Sequence, residues 1–118
     1  MNWIRDNLEG VRKQGSGSYL FEYAVSESRS QLVLIQVTDE VVMVQSPFAE
    51  VTDINSEVAA NLVSENSLFG LRKSADHFYI SNLLFLDDLD DSEVRSSVIL
   101  VGEEADRLER TLSSTDLL

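Results

Sequence analysis

The sequence predicts an α+β protein, an antiparallel β-sheet with helices packed against it, in the element order α-β-β-β-α-β-β-α. Three observations carry this. Residues 19–46 hold three strand-like runs separated by brief polar turns. Two further strand-like runs follow in the last third. They feed directly into an amphipathic helix with an acidic start, on which Val94, Val98, Val101, Ala105, Leu108 and Leu112 form one stripe. At about 100° per residue, those six side chains fall within about 40° of one direction, so the helix must lie on something apolar.

Taken in order, Trp3, Ile4, Leu8 and Val11 predict a short first helix, with Arg12 and Lys13 in its last turn and Gly15-Ser16-Gly17 just beyond. Tyr19, Phe21, Tyr23 and Val25 then alternate with Leu20, Glu22 and Ala24, the period of a strand. After the polar turn at residues 26–30, Leu32 to Val37 is apolar on both faces, as a central, covered strand would be. Thr38-Asp39-Glu40 turns the chain again. Val41 to Ser46 is a third strand that Pro47 is expected to stop, because proline cannot donate to a ladder. Loops this short imply antiparallel neighbours and a three-stranded meander.

Thr52-Asp53 is expected to open a second helix, whose apolar face is Ile54, Val58, Ala59, Leu62 and Val63, with Asn66-Ser67 as its exit. Ser74-Ala75-Asp76 joins the strands at 68–73 and 77–85. In the last helix Asp90 reads as N-cap and Glu93 as its capping-box partner, with Leu89 and Val94 as a hydrophobic staple. Asp87, Asp88 and Asp91 add negative charge at the positive end of the helix dipole.

Length and composition narrow the function classes. The 118 residues make a single domain spanning 1–118. No apolar run is long enough to cross a membrane and no secretory leader is visible, so a cytoplasmic protein is expected. There is no cysteine, which removes disulfides, thiolate nucleophiles and cysteine metal sites together and fits a reducing compartment. Nine Lys and Arg against 21 Asp and Glu give a net charge of −12. Such a chain repels phosphate backbones and anionic lipid, so neither nucleic acid nor membrane is an expected partner and a basic protein client fits better.

The chemistry-bearing residues do not assemble into a familiar motif. His77 is the only histidine, and its neighbour Asp76 would point to the opposite face of a strand. No G-x-S-x-G elbow accompanies the serines, and Gly15-Ser16-Gly17 precedes a strand instead of following one. The Asp87–Asp91 run lacks the glycine and distal glutamate of a calcium loop, and a helix start explains its carboxylates. No catalytic residue, cofactor or metal site is therefore expected. What remains is apolar surface: Ile99 and Leu100, well off the main stripe of the last helix, and the aromatic set Tyr19, Phe21 and Tyr23.

The segments Asn61-Leu62-Val63-Ser64-Glu65-Asn66-Ser67-Leu68-Phe69-Gly70-Leu71 and Tyr79-Ile80-Ser81-Asn82-Leu83-Leu84-Phe85-Leu86, followed by Asp90 to Leu112 with Ala105-Asp106, resemble the superfamily of class I type III secretion chaperones and the YbjN-type bacterial proteins of the same fold. The resemblance spans nearly the whole chain in element order. It implies a curved sheet and a homodimer, with Ile54, Val58 and Leu62 at or near the dimer seam. It also implies a non-enzymatic, chaperone-like module that holds or regulates a partner polypeptide. An extended client would lie against Tyr19, Phe21 and Tyr23. The rival readings are a folded adaptor that binds no unfolded client and a hydrolytic or metal-dependent enzyme built on His77 and the Asp87–Asp91 run.

Overall fold

A computed structural model describes residues 12–15, 17–66 and 69–114. Six strands form one antiparallel sheet: β1 Arg12–Gly15, β2 Ser18–Ala24, β3 Ser30–Val37, β4 Val41–Glu50, β5 Gly70–Ser74 and β6 His77–Phe85. Helix α1 spans Ser56–Asn66, and α2 spans Asp91–Ser114 after a 3-10 turn at Leu86–Asp88. The spatial order is β1-β2-β3-β4-β6-β5. The chain is α+β, and the expected meander is present as β2-β3-β4, with sequential strands pairing across short turns.

Three sequence expectations need correction. The first helix was expected at Trp3, Ile4, Leu8 and Val11, which lie outside the described residues. Its expected last turn, Arg12 and Lys13, is instead strand β1, with Arg12 opposite Leu20 and Lys13 opposite Tyr19. Gly17 explains the reversal into β2. It has φ +70°, and a Cβ there would stand 2.5 Å from the Val37 carbonyl oxygen. Strand pairing gives backbone groups partners that a marginal three-turn helix would hold only weakly.

Pro47 does not stop the third strand. Strand β4 continues to Glu50 because its register against β6 shifts between Pro47 and Ala49. A bulge is one of the few places where a sheet tolerates a residue without an N–H. Helix α1 begins later than Thr52-Asp53, because Asn55 is the better cap: its Oδ1 accepts the Val58 N–H at 2.8 Å.

Strand alternation and register divide the sheet into two faces. On the inner face lie Tyr19, Phe21 and Tyr23, Val33 and Ile35, Val42 and Val44, and Phe78, Ile80 and Asn82. Helix α2 lies across β2, β3, β4 and β6 on this side. Its predicted stripe is fully buried from Val94 to Leu108, with Leu112 at 2% exposure. Ala59, Leu62 and Val63 of α1, with Ile54 just before it, join the same core cluster. Within this layer Asn82 Nδ2 donates to Ser97 Oγ at 3.0 Å, a polar bridge from sheet to helix.

The start of α2 follows the sequence closely. Asp90 Oδ1 accepts the Glu93 N–H at 2.9 Å, as an N-cap should.

Candidate functional site

The outer face of the sheet carries the side chains that alternate with the core. Leu20 and Leu34 face each other across β2 and β3, Met43 faces Leu83 across β4 and β6, and Val41 faces Phe85. None of these six belongs to the core cluster or packs against it, and no described helix covers this face. Leu32 is 42% exposed, Leu83 50% and Phe85 66%. The two direct cross-strand pairs Val41–Phe85 and Met43–Leu83 therefore form a continuous apolar corner where β6 runs on past its pairing with β5. Asp39, Glu40 and Asp87 stand exposed beside it. The Leu86 N–H donates to the Glu40 carbonyl at 2.9 Å and ties the β3–β4 turn to the end of β6.

Gln45 shares this outer face through its pairing with Leu34. It is 5% exposed, and among the described residues its Oε1 has no hydrogen-bond partner. Arg72 crosses the same face, its Nη1 donating to Met43 Sδ at 2.7 Å.

The predicted binding residues are placed differently from this corner. Tyr19 is 5% exposed and belongs to the core cluster, while Phe21 and Tyr23 are half-buried against it. All three point to the side that α2 covers. The Tyr23 hydroxyl donates to Glu103 Oε1 at 2.9 Å, and burial, reinforced by the Glu103 carboxylate, pushes its pKa up. Of the residues expected at a dimer seam, Ile54 and Leu62 are buried within the protomer and Val58 is half-buried. Ile99 and Leu100, the off-stripe residues of α2, are exposed at 36% and 52%.

Leu32, Leu83 and Phe85 are the residues that sequence reasoning missed. The run Leu32 to Val37 read as covered on both faces, yet the strand is central within the sheet and open on one side. The signal for β6 was available: Leu83 and Phe85 alternate with Asn82 and Leu84, so one pair had to face away from α2.

A second concave feature lies at the other end of the sheet. A cleft of ≈ 420 Å³ is lined by Pro47, Phe48, Ala49, Glu50, Asp53, His77, Glu109 and Leu112. The β4 bulge opens it, and the stacked rings of Phe48 and Phe78, 6.4 Å apart, back its apolar side. His77 pairs in register with Glu50, and its ring lies 6.2 Å from that of Tyr79. Gln31, itself buried, donates from Nε2 to the Pro47 carbonyl at 2.6 Å and to Glu109 Oε1 at 3.4 Å. Loss of hydration raises the Glu109 pKa; the Gln31 hydrogen bond opposes this and the neighbouring Asp106 charge adds to it.

Within the Asp87–Asp91 run, Asp90 has local partners. The Ser92 hydroxyl, donating at 2.6 Å, and the Glu93 N–H hold the Asp90 carboxyl below its ordinary range. Among the described residues no three His, Asp or Glu side chains converge as a metal-binding group. No described helix is long and apolar enough to cross a membrane. Comparison with protein-family models and with curated proteins gave no match to this chain.

Proposed function

We propose that this chain is a non-enzymatic protein-binding module, chaperone-like in action, that holds or regulates a partner polypeptide on the outer face of its sheet. The observation that carries this reading is the exposed apolar corner Val41–Phe85 and Met43–Leu83. A row of large hydrophobic side chains on a sheet face costs solubility unless something covers it for part of its life. The acidic rim at Asp39, Glu40 and Asp87 and the net charge of −12 select a partner in which apolar residues are interspersed with bases. Among the described residues β5 pairs with β6 only as far as Ser81, so at this corner the exposed side chains of β4 and β6 lie beside a stretch of β6 that β5 does not flank. The expected contact surface thus moves from Tyr19, Phe21 and Tyr23 to the opposite side of the same sheet.

A holding assay tests this directly. Reduced lysozyme is basic and aggregates on loss of its disulfides, which light scattering follows. The wild-type chain is expected to suppress that scattering, and the Leu83→Ser/Phe85→Ser variant to lose most of the effect. Equal suppression by both proteins, or none by the wild type, would remove the outer face from the mechanism.

A further inference from the structure

We propose that the cleft at the β4 bulge is a docking pocket for an arginine side chain supplied by the partner polypeptide. This rests on the protein-binding reading and names the chemistry of a second contact with the same kind of partner. The groove has two parts that match the two parts of an arginine. Its apolar side, Pro47, Phe48, Ala49 and Leu112, suits the methylene stem. Its rim, Glu50, Asp53 and Glu109, offers carboxylates to the donor fork of the planar guanidinium. The volume of ≈ 420 Å³ lies within the range of roughly 300–1,000 Å³ in which small organic groups are held.

Charge complementarity decides the occupant. Among the described residues, no Lys or Arg forms an ion pair with Glu50, Asp53 or Glu109. Arg110 follows Glu109 in the chain, yet it turns to Asp106 at 2.9 Å, where Arg29 also binds. Asp106 is thus paired twice from within the protein, while Glu50, Asp53 and Glu109 have no Lys or Arg partner among the described residues. Glu109 is partly desolvated and lies close to the Asp106 charge, so a cation at the cleft relieves it directly. An anionic or neutral polar occupant would add to that repulsion or leave it unchanged. Arginine fits better than lysine because the rim is spread over three elements: strand β4, the turn after it, and α2.

The experiment titrates doubly blocked arginine amide into the intact protein and follows backbone amide shifts. Blocked citrulline amide, the neutral isostere, is the comparison. The arginine probe is expected to shift Ala49, Glu50 and His77 in a saturable way, and citrulline to shift them little. Asp53→Asn/Glu109→Gln should weaken the arginine probe at least fivefold. The control pair Glu27→Gln/Glu93→Gln removes the same two charges from exposed positions outside the cleft lining and should leave its affinity within twofold. Shifts spread evenly over the acidic surface, equal binding of citrulline, or equal weakening by the control pair would overturn the proposal. A cleft that ignores arginine while the lysozyme assay still depends on Leu83 and Phe85 would sink only this inference. The converse result would sink the outer-face reading and leave the pocket standing.

Discussion

Arg29, in the turn between β2 and β3, reaches across to α2 and grips both oxygens of Asp106, with Nε at 3.2 Å and Nη2 at 3.3 Å. Arg110 adds a third contact at 2.9 Å from the next turn of the helix. The Asp106 side chain is 3% exposed, while the two arginines keep 45% and 57% of their surface in water. The arrangement therefore hides the acid and leaves the bases solvated. Removing one arginine still leaves the carboxylate a partner, and Arg29→Ala should cost about 1–2 kcal/mol. Removing both strands a buried charge, and Arg29→Ala/Arg110→Ala should cost about 3–5 kcal/mol. The excess over the two single variants, read from urea denaturation, is the check. Simple additivity would mean that Asp106 finds water or a proton more easily than its burial implies.

Gly102 lies inside α2, where alanine would ordinarily favour the helix by about 1 kcal/mol. A Cβ there would stand 2.9 Å from Tyr23 Cδ2 and 3.3 Å from Val33 Cγ2, side-chain atoms on the inner face of the sheet. Gly102→Ala is expected to destabilise by about 1–3 kcal/mol through overpacking. Pairing it with Tyr23→Ala should recover part of that loss, because the ring is the first obstacle. A thermal melt in which Gly102→Ala alone raises Tm would show that the helix can lift without cost.

Glu109 has a raised pKa, so the folded chain binds its proton more tightly than the unfolded chain does. For an acid this sign means that folding is penalised above the folded-state pKa. The penalty shrinks as pH falls through that value towards the unfolded one. Glu109→Gln should thus be more stable than wild type at neutral pH, and the two should converge on acidification. Denaturant midpoints measured between pH 7 and pH 4 make the comparison. Divergence at low pH would reverse the sign assigned to this group.

Asp90 behaves in the opposite way. Its carboxyl is held low by the Ser92 hydroxyl and the Glu93 N–H, so its stabilising contribution is present above the unfolded-state pKa. It is lost as pH falls through the lower, folded-state value. Asp90→Ala should lower Tm at neutral pH and lose most of that difference in strong acid, because the wild-type cap is then protonated too. Asp90→Ser, which keeps an acceptor, should retain much of the stability and show little of the pH dependence.

The parts of this fold that were readable in sequence are those where one local rule acts alone. The stripe Val94 to Leu112, the Asp90 cap and the alternation of Tyr19, Phe21 and Tyr23 each depend on spacing within a single element. The misreadings arose where a distant strand supplied the deciding contact. Arg12 and Lys13 join a strand because β2 is there to pair with them, and Pro47 sits inside β4 because the β6 register absorbs a bulge. The same limit applies to the candidate sites. Periodicity shows that Leu83 and Phe85 share one side of β6, but not that α2 takes the other. The cleft gathers residues from β4, its following turn, β6 and the far end of α2, from Pro47 to Leu112, and no spacing rule joins them.

The hydrogen bond from Asn82 to Ser97 has a consequence for how many ways the long helix can sit. Valine and alanine side chains along α2 are similar enough that a small slide or roll would still find apolar company. One amide and one hydroxyl, shut into that company, can meet in a single azimuth only. Replacing them with Leu and Ala would leave adhesion intact or even strengthen it while permitting neighbouring alignments. The sheet would keep its lid, with the bonds from Tyr23, Arg29 and Gln31 to α2 left to set where it closes.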